Sequence, residues 1–340
     1  MRGGADRASW KLSGPFCANR PTLHVNADPK TGHLYAATAG AGEWYSAGVW
    51  RSTDLGDTWT FSDEGLSYGP GGPGINQVWH VTRGNGAIYA GVEPVGLFRS
   101  DDGGQSWEHV HGLRDHPSSS GWMPGNGGLC LHSIVVDPAD AHRIWVGTSA
   151  AGTFFSADEG ATWAPRNLHV RDFEDPNEDN HVGGCVHKLI RAPVAGQVLF
   201  QQNHFGVYRS ADGGETWEEI SGGLPSDFGF PMGVHPREPR TVYVIPLQGD
   251  GRFMPEGKAA VWRSRDAGDH WERLDRGLPE NAYTGVLREG LALDALDPVG
   301  IYFGTNTGQL FVSADEGEHW GLIADYLPPI LSVEVAVVDG

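Results

Sequence analysis

The chain has 340 residues, and its 43 Asp and Glu against 24 Lys and Arg give a formal net charge of −19. This acidity argues against binding to nucleic acid or to anionic membranes, because phosphate recognition requires a basic stripe. The 50 Gly and 22 Pro are typical of many short strands and turns rather than of helices.

Targeting signals and disulfides are also not indicated. No apolar run reaches the length of a membrane span, and the first six residues contain no apolar stretch of the signal-peptide type. The three cysteines, Cys17, Cys130 and Cys185, are too few for a disulfide framework in a chain of this length. We therefore expect a cytoplasmic location, a small-molecule substrate, and neither a nucleic-acid nor a membrane partner. The sequence gives no indication of the oligomeric state.

The first predicted element in chain order is an outer strand at residues 8–12. Beyond them, the eight-residue frame Ser-x-Asp-x-Gly-x-(Thr/Ser/His)-Trp occurs six times. The frames occupy residues 52–59, 100–107, 156–163, 210–217, 264–271 and 313–320. Their closing tryptophans are 48, 56, 54, 54 and 49 residues apart. A nearly constant period of about fifty residues indicates repeated supersecondary units.

The third repeat shows most clearly what one unit contains. Residues 131–136, 143–147 and 152–156 are predicted strands, and the frame at 156–163 turns the chain into a fourth. Four antiparallel strands repeated every fifty residues predict an all-β fold, a single β-propeller that spans residues 1–340.

The frame itself has the chemistry of a hairpin turn. Its Asp can accept backbone N–H groups, its Gly can adopt a positive φ, and its Trp can pack over the turn. All six frames resemble the BNR or Asp-box repeat of sialidases, sortilin-type receptors and xyloglucan-active glycosidases. Residues 128–133, 185–189, 224–231 and 327–329 are further similar to bacterial single propellers described as exo-α-sialidase-like. The resemblance implies the propeller fold, and we expect the six aspartates of the frames to be structural.

The two ends of the chain are predicted to complete the ring. Residues 327–335 read as an inner strand that no further blade follows, and residues 8–12 read as an outer strand. Pairing the ends would close the ring and cover two sheet edges. We therefore expect seven blades with one reduced blade, and six blades are the alternative.

Propeller geometry also separates the loops into two faces. With the strands of a blade named A to D from the axis to the rim, the frames are C–D turns. The B–C turns and the connections between blades lie on the other face, called here the loop-rich face. The long connections 111–128 and 167–184 and the long turn 247–258 all fall there, and such loops are often functional. We expect them to cover an axial cavity.

A set of candidate metal ligands lies on this face. Aligned on the ends of the A strands, His132, His187 and Glu289 fall at one register, and His204 comes from a B–C turn. Imidazole and carboxylate suit a divalent transition metal, of which zinc is the most common in hydrolysis, and an open position lowers the pKa of bound water to about 7. Glu93 is the candidate general base or partner of a ligand.

Two other interpretations of the same strands remain open. Each histidine alone can simply bond to the backbone of a neighbouring blade. The repeated spacing Cys130-x-His132 and Cys185-x-His187 would also allow a closed, structural Cys2His2 zinc site, because residues i and i+2 share a strand face. Two free thiols packed between blades are the commoner outcome.

Glycosidase chemistry is the second hypothesis. A sialidase requires three arginines and a Tyr–Glu nucleophile pair and opens with Arg-Ile-Pro, which this chain lacks. Arg191 and Arg288 lie near A strands, and Tyr283 with Glu289 could supply the nucleophile pair. Other glycosidases require only two carboxylates across a cleft. The candidates for such a pair are Glu93, Asp172, Asp227 and Glu289.

Candidate substrate contacts lie at the same end of the axis. They are Trp79, Lys188, Asp227, Arg252 and Asn306, with Trp122, Phe228 and Phe230 as further aromatic surfaces. The first hypothesis is a hydrolase with a metal-assisted axial site for a small polar ester, phosphoester or related substrate. The alternatives are an exo-acting, sialidase-like glycoside hydrolase and a propeller that only binds or assembles.

Overall fold

The sheets of the computed structural model follow one another in chain order. The structure describes residues 1–17, 20–84, 86–172, 182–193 and 196–338. Within these residues the chain forms six four-stranded antiparallel sheets, in which each strand pairs with the next along the chain. Inner strands of neighbouring sheets contact each other, as the blades of a ring do. The predicted all-β propeller is confirmed, and it has six four-stranded blades.

The first three blades contain strands β3 to β14. Blade one consists of β3 (Thr22–Ala27), β4 (Leu34–Thr38), β5 (Gly48–Ser52) and β6 (Thr60–Ser62). Blade two consists of β7 (Gln77–Gly84), β8 (Ala87–Glu93), β9 (Gly96–Ser100) and β10 (Glu108–Val110). Blade three consists of β11 (Cys130–Val136), β12 (Ile144–Ser149), β13 (Gly152–Ser156) and β14 (Ala164–Pro165). The strands predicted for the third repeat are therefore confirmed, with ends that differ by at most two residues.

The last three blades contain β15 to β26. Blade four consists of β15 (Val186–Arg191), β16 (Leu199–Asn203), β17 (Gly206–Ser210) and β18 (Glu218–Glu219). Blade five consists of β19 (Gly229–Val234), β20 (Val242–Pro246), β21 (Val261–Ser264) and β22 (Glu272–Leu274). Blade six consists of β23 (Leu291–Leu293), β24 (Ile301–Gly304), β25 (Leu310–Ser313) and β26 (Gly321–Ala324).

Both ends of the chain lie against blades six and one. Strands β1 (Arg2–Gly3) and β2 (Trp10–Lys11) form a small hairpin. Beside it the Arg7 guanidinium donates to both carboxylate oxygens of Asp294, at 2.7 and 2.8 Å. At the other end, Val333 N donates to the Glu289 carbonyl, and Ser332 Oγ accepts from Val25 N of blade one. The ends thus supply an inner segment and an outer hairpin, but the described residues form no middle strands between them.

The six frames form the same turn in every blade. In each, the backbone N–H of the Gly donates to the Ser hydroxyl at 2.7 or 2.8 Å. In the first frame, hydrogen bonds from the Thr58 hydroxyl and N–H lower the pKa of the Asp54 carboxyl to about 2. These aspartates are engaged in holding the turns, as expected from the sequence.

Large apolar side chains pack between neighbouring sheets. One such cluster joins Tyr89 and Leu97 of blade two to Leu131, Val146 and Phe154 of blade three. Each fully buried side chain of this size stabilises the fold by about 1.5–3 kcal/mol, so the blades are held mainly by their neighbours.

The helical segments of the described chain are short 3-10 turns, at His111–Leu113, Ser119–Gly121 and Pro255–Gly257. None of the helices found in the described ranges has the length and apolar character needed to cross a membrane.

Candidate functional site

An irregularity in the inner strands shapes the loop-rich end of the axis. In four blades the register of the A strand slips by one residue near its start, which places an extra residue in the strand. The extra residues are Leu23, Trp79, His132 and His187, and in blade five the slip includes Phe230 and Pro231. Such β-bulges redirect side chains and are frequent at functional sites.

Three of the bulge residues, Trp79, His187 and Phe230, form a layer with Arg288 at the mouth of the axis. The Arg288 guanidinium lies 5.0 Å from the ring centre of Trp79 and 5.4 Å from that of Phe230. Its Nε donates to the His187 carbonyl at 3.2 Å, and the His187 ring lies 4.6 Å from Phe230. The layer therefore joins blades two, four, five and six through one cation. The Arg252 guanidinium, from the long turn of blade five, lies 5.6 Å from the same Phe230 ring.

Three side chains at this mouth form what we call the mouth cluster: Cys185, His187 and His204. One potential ligand atom from each lies within 4.8 Å of the other two. His187 Nδ1 donates to the Gly229 carbonyl at 2.6 Å, and its ring meets that of His204 edge to face at 5.5 Å. Cys185 and His187 are buried, whereas His204 is half-buried. His204 is thus the most exposed member of the cluster.

The protonation of the mouth cluster follows from its burial. Burial, reinforced by the Arg288 charge, holds the pKa of His187 well below its usual value. Burial and the Arg252 charge also lower the pKa of His204. Burial raises the pKa of the Cys185 thiol, although Arg288 acts in the opposite direction. At neutral pH the cluster accordingly consists of two neutral imidazoles and a thiol.

A second group, called here the hub cluster, lies one residue deeper along the inner strands. It consists of His24, His80, Lys188 and Glu289, from blades one, two, four and six. Lys188 Nζ forms an ion pair with Glu289. The Glu289 oxygens lie 3.5 Å from His24 Nε2 and 3.5 Å from His80 Nδ1, and the two imidazoles stack at 4.0 Å. The hub cluster ties four blades together across the axis.

The charge state of the hub cluster is dominated by Lys188. Burial alone would raise the pKa of Glu289, but the Lys188 ammonium and the imidazole contacts outweigh burial and hold the pKa well below its usual value. Burial lowers the pKa of both His24 and His80. The hub is therefore a buried carboxylate–ammonium pair flanked by two neutral imidazoles.

The structure divides the four predicted metal ligands between different places. His187 and His204 lie together in the mouth cluster, whereas Glu289 lies in the hub cluster. His132 is fully buried, its Nδ1 lies 3.2 Å from Ser133 Oγ, and its Nε2 has no hydrogen-bond partner among the described residues. The single four-ligand set expected from the strand alignment is therefore not formed, because the bulge places residues 132 and 187 one position away from the hub layer.

The two Cys-x-His pairs, Cys130 with His132 and Cys185 with His187, likewise do not join in one group of ligands. Among the described residues, the groups of three or more possible ligands are Cys185–His187–His204 and His24–His80–Glu289, so neither contains Cys130. Cys130 is fully buried and free, and burial raises the pKa of its thiol to about 11. A closed Cys2His2 site does not match this geometry, and Cys130 is a packed free thiol.

The other predicted contacts are distributed over the mouth. Glu93 Oε2 accepts from Asn76 Nδ2 at 2.7 Å, and Asp227 contacts the Arg171 guanidinium at 3.2 Å. Asn306 Oδ1 accepts from Gly285 N at 2.9 Å, which holds the connection that leads to Arg288. Lys188, predicted to bind substrate, is instead paired with Glu289 in the hub.

The features expected of a sialidase are not assembled. Arg191 lies at the far end of its strand, where it approaches Asp137 at 3.7 Å. The Tyr283 ring meets that of Phe253 edge to face and is 70% exposed, whereas Glu289 is buried in the hub cluster. Of the predicted arginines, Arg252 and Arg288 are at the mouth.

The loops predicted to cover the axial cavity are only partly described. Residues 111–128 approach the mouth, since Gly127 abuts Trp79 and Gly128 abuts Glu93. The connection 167–184 lies partly outside the described residues.

Sequence reasoning missed His24 and His80, although a signal for them exists. His24, His80, His132 and His187 are separated by 56, 52 and 55 residues, close to the repeat period. When the A strands are aligned on their ends, His24 and His80 fall one residue out of register with His132 and His187. In blades one and two the bulge residue precedes the histidine, whereas in blades three and four the histidine is itself the bulge residue.

Exposed aromatic side chains are concentrated on the loop-rich face. Trp44, in the B–C turn of blade one, is 89% exposed. Tyr283, in the connection between β22 and β23, and Tyr326, after β26, are 70% and 95% exposed. These exposed rings lie on the same face as the mouth of the axis.

The comparisons with known proteins agree with this architecture. Residues 98–109 match the model of the BNR/Asp-box repeat. Together with the six-bladed ring, this match confirms that the chain is an Asp-box repeat β-propeller.

Two curated relatives are xyloglucanases. The chain is 25% identical to the xyloglucanase of Hypocrea jecorina (strain QM6a), over 81% of this chain and 37% of the relative. It is 28% identical to the xyloglucanase of Paenibacillus sp, over 68% of this chain and 24% of the relative. The chain thus spans well under half the length of the curated relatives it matches.

The structural likeness concerns the fold. An ancestral GH74 enzyme superposes with a TM-score of 0.61 at 19% identity, over 89% of this chain and 38% of that one. At this identity the likeness supports a shared propeller architecture.

Proposed function

We propose that the protein is a glycoside hydrolase that binds an oligosaccharide across the loop-rich face and cleaves it at the mouth of the axis. The observation that carries the proposal is the set of three exposed aromatic side chains on that face, Trp44, Tyr283 and Tyr326. Aromatic rings stack on the apolar faces of sugar rings, and their other edges remain in water. The sequence relatives support the same substrate class, since they are xyloglucanases.

We infer that two carboxylates, Glu93 and Asp227, act on such a substrate. Glu93 ends strand B of blade two, and Asp227 precedes strand A of blade five, so they lie three blades apart, on opposite sides of the ring. Hydrolysis of a glycoside requires a general acid on one side of the scissile bond and a base or nucleophile on the other. Asp227 contacts the Arg171 guanidinium, a suitable partner for an ionised base or nucleophile. Glu93 contacts the neutral amide of Asn76, and we assign it the general-acid role.

The mouth between them would orient the sugar. Arg288 and Arg252 present guanidinium donors, and Trp79 and Phe230 present ring surfaces around them. Such a combination of a few polar groups with aromatic walls is typical of small-molecule sites.

The test is hydrolysis of xyloglucan oligosaccharides and of aryl glycosides, including an aryl sialoside, by the purified protein. We expect turnover, and we expect Glu93→Gln and Asp227→Asn each to lower kcat about 10²- to 10⁴-fold. The matched control is Asp101→Asn, an exposed carboxylate in the Asp-box frame of the same blade as Glu93, which should leave kcat unchanged. Trp44→Ala should raise KM and leave kcat near that of the wild type.

Other outcomes distinguish the competing functions. Full activity of both carboxylate variants would contradict the assignment of Glu93 and Asp227. Absence of glycoside turnover, with chelator-sensitive hydrolysis of aryl esters or aryl phosphates, would support the metal-assisted hydrolase instead. Oligosaccharide binding without turnover on any substrate would leave a binding propeller.

A further inference from the structure

We propose that Cys185, His187 and His204 bind a divalent transition metal ion at the mouth of the propeller, with zinc or cobalt as the fitting ions. Cleavage by two carboxylates does not require a metal, so this inference goes beyond the proposed function and stands or falls separately from it.

The distances within the mouth cluster suit such an ion. One ligand atom from each residue lies within 4.8 Å of the other two. In a tetrahedral site with bonds of about 2.0–2.3 Å, neighbouring nitrogen and sulfur ligands are about 3.3–3.6 Å apart. Binding would draw the three ligand atoms together by side-chain rotation, and His204 is the half-buried member of the cluster.

The hydrogen bonds of His187 prepare it as a ligand. Its Nδ1 lies 2.6 Å from the Gly229 carbonyl, which can only accept, so Nδ1 carries the proton and Nε2 carries a lone pair. Metal-bound histidines typically donate their second ring N–H to a carbonyl or carboxylate in this way.

The hub cluster shows the opposite arrangement. His24 Nδ1 accepts from Val81 N at 3.1 Å, so its proton is on Nε2, which lies 3.5 Å from Glu289. A nitrogen that carries a proton has no lone pair for a metal, and the Lys188 ammonium already neutralises the carboxylate. For these reasons we assign the metal to the mouth cluster and not to the hub.

The donor set and its charges define the class of ion. One thiolate and two imidazoles favour zinc or cobalt over magnesium or calcium, which prefer oxygen ligands. Binding replaces the proton of the Cys185 thiol, which is released to solvent, so a dication with one thiolate has a net charge of +1, and Arg252 and Arg288 lie nearby. A fourth ligand would therefore be an anion, such as hydroxide or a carboxylate of a bound molecule.

The experiment is a titration of the untagged, metal-free full-length protein with Co²⁺, followed by absorbance, and elemental analysis after zinc loading and dialysis. We expect one equivalent of metal and a thiolate-to-cobalt charge-transfer band in the near ultraviolet. Cys185→Ser should abolish the band, and His204→Gln should weaken binding at least tenfold.

The neighbouring blade supplies the matched control. Cys130 precedes His132 with the same spacing, is also buried and lies outside the cluster. Cys130→Ser should therefore retain both the stoichiometry and the band. Near-ultraviolet circular dichroism and thermal unfolding of each variant show whether it is folded. Absence of a charge-transfer band in the folded wild type, or its persistence in Cys185→Ser, would overturn the proposal.

Discussion

The mouth and hub clusters meet at adjacent residues of strand β15, His187 and Lys188, and they differ in what their hydrogen bonds leave free. In the hub cluster, Lys188 pairs with Glu289, and His24 directs a proton toward that carboxylate. In the mouth cluster, the bond from His187 to a carbonyl leaves a lone pair available. The comparison teaches that residue type alone does not identify a site, because backbone partners decide whether an imidazole is a donor or a ligand.

The largest expected effect comes from breaking the hub. Glu289→Gln leaves the Lys188 ammonium buried without its counter-charge, and loss of one partner of a buried pair typically costs about 3–5 kcal/mol of unfolding free energy. Urea unfolding measures the loss. The double variant Lys188→Met/Glu289→Gln should recover much of it, since no charge remains buried.

An exposed pair is the control for this prediction. Glu256 and Lys258 form an ion pair at the surface of the long turn in blade five, and Glu256→Gln should produce no measurable change. Equal stability of Glu289→Gln and the wild type would show that the hub does not hold the blades together.

The next effect is a loss of stability in mild acid. Burial lowers the pKa of His24, His80, His132 and His187, so the folded protein resists protonation that the unfolded chain accepts below about pH 6.5. Stability is therefore complete above that pH and falls below it, by about 1.4 kcal/mol per pH unit for each such histidine.

His132 allows this slope to be tested outside both clusters. The groups that influence it are Arg288, which opposes its protonation, Glu289, which favours it, and His187. His132→Gln should reduce the pH dependence of the unfolding free energy between pH 6.5 and 5.5 by about one proton's contribution, whatever its effect on absolute stability. An unchanged slope would mean that His132 is protonated in the folded state.

The smallest signal is also the most specific to the comparison. In ¹⁵N-histidine-labelled protein, two-bond nitrogen–proton spectra should show His187 as the Nδ1–H tautomer and His24 as the Nε2–H tautomer. Variants that remove each ring assign the signals. Identical tautomers at the two positions would remove the distinction between the clusters.

The fold was accessible from the sequence because its signal is local and repeated. Each frame contains the Ser, Asp and Gly that build its turn, and hydrogen bonds of this kind form in every copy. The six-fold repetition then predicts the ring. The ring has the alternative count of six four-stranded blades and not the seven expected, because the two ends contribute only an inner segment and an outer hairpin.

The site was accessible only in part. His187 and His204 were predicted together, and they lie together. Glu289 was grouped with them, but it lies in the hub layer, one residue away from the bulge position of His187. His24 and His80 were missed. A β-bulge shifts side chains by one position and leaves no composition signal of its own. Exposed aromatics such as Trp44 were missed too, because exposure depends on how neighbouring loops pack.

Crystals soaked in cobalt would test the distinction between the clusters most directly, through an anomalous difference map measured at the cobalt absorption edge. We predict a single strong peak within bonding distance of Cys185 Sγ and the mouth imidazoles, with no peak in the hub. A peak between His24, His80 and Glu289, with none at Cys185, would contradict the account.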